Sequence, residues 1–67
     1  MSNTTEAYFG NDQYVTFDEE RAREFIQLYK ETKELGLPSF DFEDIDVDMS
    51  YAYHIIEFLT DKLKLDK

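Results

Sequence analysis

Sixty-seven residues with 16 Asp and Glu against 7 Lys and Arg carry a formal net charge of −9, which disfavours direct contact with nucleic acid or an anionic membrane. The absence of cysteine excludes disulfides and thiolate metal sites, so the fold must rest on one apolar core. No apolar run approaches the roughly 18–20 residues that span a bilayer, and Met1 to Glu6 offer no basic patch followed by an apolar stretch, so a cytoplasmic location is expected.

A chain this short lies near the lower limit for a self-supporting core. Its 42% hydrophobic content includes six Phe and five Tyr, and each packed ring buries roughly 150–250 Å². Eleven rings offset the ordering entropy of so short a chain narrowly, and homodimerisation would widen that margin. Residues 1–67 read as one domain, with 1–5 and 65–67 expected to be loose ends.

In chain order, Ala7 to Phe17 predicts a hairpin. Gly10-Asn11-Asp12 tolerates positive φ and suits a tight turn, and Gln13-Tyr14-Val15-Thr16-Phe17 is rich in strand formers. A helix over 18–35 follows. Thr16 and Glu19 have capping-box spacing, Asp18 is a competing N-cap, and Asp18, Glu19 and Glu20 suit the positive end of the helix dipole. Ala22, Phe25, Ile26 and Tyr29 form its apolar stripe, widened by Leu28 and Leu35. Gly36 and Pro38 end it.

Ser39 to Asp48 alternates Phe40 and Phe42 with acids, slips phase by one residue, and resumes with Ile45 and Val47. It reads either as an edge strand with a bulge at Glu43-Asp44 or as an extended loop pinned by its apolar residues. A second helix, near 49–64, has Met49, Ala52, Ile56, Leu59 and Leu63 as its stripe, broadened by Ile55. Tyr51 and Phe58 lie on a neighbouring face, and Lys62, Lys64 and Lys67 suit the helix C-terminus. The expected class is α+β: a small β-hairpin or sheet packed against two amphipathic helices.

Catalytic constellations are scarce. His54 is the sole histidine and reads as a surface or partly buried residue, and Ser50 reads as a helix-start residue without triad partners. Acid–base work by paired carboxylates needs a cleft that raises one pKa, for which this chain leaves little room, so no enzyme activity and no cofactor are expected. Asp44-x-Asp46-x-Asp48 opens like a calcium loop, but Met49 stands where the sharp turn needs glycine and Ile55 where a bidentate Glu belongs. Starting at Asp46 puts Asp48, Ser50 and Glu57 in register, yet Tyr51 then takes the glycine position, so no dedicated metal site is expected.

The charge map is more telling. Residues 1–20 and 34–61 contain no Lys or Arg. The second segment carries Glu34, Asp41, Glu43, Asp44, Asp46, Asp48, Glu57 and Asp61, while every basic residue lies in 21–33 or 62–67, beside helical acids. An extended 40–48 would space same-face acids about 6.6–6.8 Å apart, of the same order as the path between phosphates on a DNA strand with about 3.4 Å of rise each.

In length, net charge, lack of Cys and Trp, and the Phe40–Asp48 run with acids at 41, 43, 44, 46 and 48, the chain resembles the small acidic proteins that bacteriophages make to disable host enzymes, several of which mimic DNA. The resemblance is one of size and charge pattern without a shared motif, so no functional residue is carried across. It implies a non-catalytic inhibitor or modulator acting in a host cytoplasm. Such a protein would occupy the basic surface of a nucleic-acid-binding protein: a histone-like nucleoid protein, nuclease, glycosylase or polymerase subunit. Asp41, Glu43, Asp44, Asp46 and Asp48 are then the phosphate surrogates, with Glu6, Asp12 and Glu57 as extensions and Tyr51 and Phe58 as apolar anchors. The alternative is a structural or regulatory protein–protein module whose acidity serves solubility and whose contact surface centres on helix aromatics.

Overall fold

Two clusters of residues at positive φ decide where the chain reverses. Gly10, Asn11 and Asp12 (φ 87°, 52° and 60°) turn it between strands β1 (Thr5–Tyr8) and β2 (Tyr14–Phe17). Gln13 N–H donates to the Gly10 carbonyl across the turn at 2.9 Å, and Phe9 N–H donates to the Gln13 carbonyl at 2.8 Å. Glu43 and Asp44 (φ 53° and 64°) do the same between β3 (Ser39–Phe42) and β4 (Ile45–Asp48). In the computed structural model, which describes residues 3–65, these two antiparallel hairpins alternate with helices α1 (Glu19–Leu35) and α2 (Met49–Leu63). The hairpins remain separate two-stranded sheets in an α+β fold.

The 39–48 segment is neither a bulged single strand nor an extended loop. Positive φ at both residues of a two-residue connection is the signature of a type I′ turn, and it folds Phe42 back opposite Ile45 and Phe40 opposite Val47. The phase slip at Glu43-Asp44 thus marks a chain reversal. A bulge has the same local sequence signature, so the alternation by itself does not separate the two. Neither turn residue is glycine, and a non-glycine residue held at positive φ costs free energy. Asp44→Gly should therefore raise stability by about 0.5–1 kcal/mol, read from the urea midpoint; a fall would show that the Asp44 side chain supports the turn.

Asp18 wins the competition to start α1. Its Oδ1 accepts from the Arg21 N–H at 2.8 Å, while Thr16 is drawn into β2. At the other end Gly36 adopts φ 72°, its N–H donating to Lys33 O, and Leu37 N–H reaches back to Thr32 O at 3.2 Å, the paired bonds of a Schellman cap. Helix α2 closes in the same way around Lys64 (φ 56°), with Leu65 N–H donating to Thr60 O at 3.1 Å. Lysine occupies a position that glycine fills without strain. Lys64→Gly should stabilise the fold by about 1 kcal/mol, raising Tm by about 4–8 °C in a domain of this size; an unchanged Tm in a thermal melt would show that the cap frays.

Phenylalanine and tyrosine divide the molecule. Phe17, Phe25 and Phe42 are buried with Ala7, Val15, Ala22, Val47, Ala52, Ile55, Leu59, Leu63 and Leu65, and Phe9, Phe40 and Phe58 pack against this core half-buried. Four of the five tyrosines (8, 14, 51 and 53) are exposed. Phe25 is the hub. Its ring lies 5.1–6.0 Å from those of Phe9, Phe17, Phe40 and Phe42. Phe17 and Phe42 stack at 5.5 Å and 13° and join the two hairpins.

The predicted stripes are buried at their centres, Ala22 and Phe25 on α1 and Ala52, Leu59 and Leu63 on α2, and differ at their margins. Ile26, Tyr29 and Ile56 are only half-buried, whereas Thr32 and Ile55 are buried. Leu35, expected to widen the α1 stripe, is 73% exposed; at 100° per residue it lies about 140° round from Ala22. The chain ends are tighter than expected where they are described. Thr5 pairs with Phe17 and Leu65 is buried; the rest of the expected loose ends includes Met1, Ser2, Asp66 and Lys67, which lie outside the described residues. Among the described residues no helix is long and apolar enough to cross a membrane.

Candidate functional site

The alternation that buries Phe40, Phe42, Ile45 and Val47 on one side of the β3–β4 hairpin must send the intervening residues to the other. Asp41 stands opposite Asp46, and Ser39 opposite Asp48, so Asp41, Asp46 and Asp48 share one outward face, all exposed. Asp46 and Asp48 are one strand repeat apart, about 6.6–6.8 Å, and Asp41 adjoins Asp46 across the ladder at about 4.5–5.5 Å. The expected row of five acids is thus folded into a three-carboxylate patch with two acids at its turn. Like charges directly opposed across a ladder destabilise it.

The turn acids have different fates. Glu43 forms an ion pair with Arg21 of α1, whose guanidinium carbon also lies 5.8 Å over the Phe42 ring. Arg21 therefore pairs with the hairpin and not with a helical neighbour, and its Nε is buried without a hydrogen-bond partner. Glu43 is partly neutralised, while Asp44 is exposed at the tip. Among the described residues Asp41, Asp44, Asp46 and Asp48 enter no ion pair.

Tyr51 joins this patch to the first hairpin. Its hydroxyl donates a hydrogen bond to the Tyr8 carbonyl, and its ring lies 6.2 Å from that of Phe9. A cleft of about 460 Å³ results, walled by Tyr8, Phe9 and Gly10 on one side and by Asp46, Asp48 and Tyr51 on the other. The outward face of the first hairpin continues the surface with Glu6 and Tyr14, Tyr14 pairing with Tyr8 at a ring separation of 5.0 Å. Asp12 lies instead in a second cleft, of about 720 Å³, with Asp18, Arg21 and Glu43.

Two residues expected at the site stand apart from this cleft. Glu57 is exposed, about 120° round α2 from Tyr51. Phe58 shares the Tyr51 stripe but lies about 10 Å further along the axis, half-buried, with the Lys62 ammonium 5.8 Å over its ring. Tyr8, Phe9 and Tyr14 were not singled out as site residues. Their signal was two tyrosines placed symmetrically about the Gly10-Asn11-Asp12 turn, which strand pairing brings together. His54 is exposed and faces the Tyr53 ring at 6.1 Å. Asp44 sits in a turn and Asp46 and Asp48 on an extended strand, so the three do not converge as calcium-loop ligands do. Among the described residues no group of three or more His, Asp or Glu side chains is placed to hold a metal ion.

No protein-family model matches the chain, and neither the curated proteins nor the solved structures contain a match to it.

Proposed function

We propose that the protein is a non-catalytic inhibitor or modulator that binds the basic surface of a nucleic-acid-binding protein, its outward hairpin face standing in for a phosphate backbone. One observation carries this reading: Asp41, Asp46 and Asp48 crowd onto one exposed face with no cation paired to them among the described residues. Opposed like charges cost stability, and two acids hold turn positions where Asn-Gly would be less strained. A face needed only for solubility has no reason to concentrate charge where it costs most.

Histone-like nucleoid proteins, nucleases, glycosylases and polymerase subunits are the partner classes in view. Electrostatic complementarity speeds association and is screened by salt. Added to a complex of a histone-like protein with a labelled duplex, the protein should displace the DNA, less well at about 200 mM salt than at about 50 mM. No displacement at either salt would contradict the reading.

The alternative, a protein–protein module whose acidity serves solubility, draws support from Leu35, Leu37 and Tyr53, which are 73%, 51% and 51% exposed. That module would bind its partner with little dependence on salt and none on the hairpin carboxylates.

A further inference from the structure

The cleft between the hairpins combines features that the acidic face alone does not have. Two carboxylates, Asp46 and Asp48, form one wall and the aromatic residues Tyr8 and Phe9 the other, with Tyr51 at the junction. Tyr8 and Tyr51 are 47% and 37% exposed, large for aromatic rings in a chain with so little core to spare. Asp48 stands at the N-cap of α2 yet makes no side-chain capping bond, although Asp is among the residues that cap best. Its carboxylate is left to the cleft.

We infer that this cleft takes an arginine side chain presented by the basic partner, an inference that rests on the acidic-face reading and names its specificity. A guanidinium is planar, weakly hydrated and stacks on aromatic faces, and its five N–H donors can bridge two carboxylates. A lysine ammonium satisfies the charge and can lie over a ring, as Lys62 does over Phe58, but it has no planar face to stack and no fork to bridge two carboxylates. Calcium, the other candidate for paired carboxylates, takes six to eight oxygen ligands, and two aspartates fall short of that. The fixed Tyr51 hydroxyl holds the aromatic corner in place before binding, which lowers the ordering cost on association.

The test is an NMR titration of the isotope-labelled protein at about 150 mM salt with tri-arginine and, separately, tri-lysine peptides of equal charge. Cation–π stacking at an exposed site predicts about threefold to fivefold tighter binding of the arginine peptide, with the largest amide shifts at 8–10 and 46–51. Tyr8→Leu keeps an apolar side chain and should abolish the preference, weakening the arginine peptide more than the lysine peptide. If that variant fails to fold, the Asp46→Asn, Asp48→Asn double variant replaces it and should remove the arginine-specific shifts. Equal affinities for the two peptides, or shifts spread evenly over the acidic residues, overturn the inference. No nucleic-acid-binding protein enters this measurement, so arginine preference with failed DNA competition upholds the cleft and removes the acidic-face reading. DNA competition without arginine preference overturns the cleft alone.

Discussion

Phe25→Ala should cost about 3–5 kcal/mol of folding stability, the largest loss expected from any single substitution. The side chain is fully buried and its ring meets four others, Phe9 and Phe17 from either side of the first turn and Phe40 and Phe42 from β3. Alanine removes all four contacts at once and leaves a cavity whose cost adds to the lost burial. A domain of this length has roughly 3–10 kcal/mol in total, so the alanine variant should be partly or wholly unfolded at 25 °C. Phe25→Leu, which keeps most of the volume, should cost about 1–2 kcal/mol and remain measurable by urea denaturation followed by circular dichroism. A loss below about 1 kcal/mol for the alanine variant would mean that the ring is not the hub of the core.

Local chemistry was enough to read both helices, the first hairpin and the burial of Phe25, though not its place among four other rings. Each rests on signals confined to a few residues: Asp18 before an apolar stripe, Gly36 and Pro38 after it, Gly10-Asn11-Asp12 between strand formers. The second hairpin was not legible because its turn contradicts local preference. Glu-Asp is a poor type I′ pair, and only the packing of Phe42 and Ile45 on the core, reinforced by Arg21, decides between a bulge and a reversal. The helix faces were legible at their centres, Ala22 and Phe25 on α1 and Ala52, Leu59 and Leu63 on α2, but not at their margins. Ile55 and Ile56 are chemically equivalent, and which of them is buried depends on the angle at which α2 meets β1 and β4.

For the site, the acids were legible as a segment but not as a surface. Alternation predicted that Asp41, Asp46 and Asp48 face outward; cross-strand pairing, which sequence spacing does not encode, set Asp41 beside Asp46. The pairing of Glu43 with Arg21 and the approach of Tyr8 to Tyr51 are contacts between distant segments and leave no local trace. Glu57 was expected to extend the acidic row and Phe58 to anchor the site beside Tyr51, whereas helical rotation and rise carry them away.

Converting Asp41, Asp46 and Asp48 together to Asn removes three charges, moving the formal net charge from −9 to −6 at nearly constant shape. If each carboxylate contributes about 1 kcal/mol to binding, the triple variant loses about 3 kcal/mol, or about 100-fold in affinity. The fold should gain, because the Asp41–Asp46 repulsion across the ladder is relieved. Opposite signs for affinity and stability are what distinguish an interface from a structural element. The direct measurement is displacement of a labelled duplex from a histone-like protein by wild-type and triple-variant protein at about 50 mM salt, with thermal melts alongside. The account predicts that the variant needs about 100-fold more protein to displace the duplex while melting no lower than wild type. Equal displacement by the two proteins would contradict it and leave the hairpin face a solvated surface.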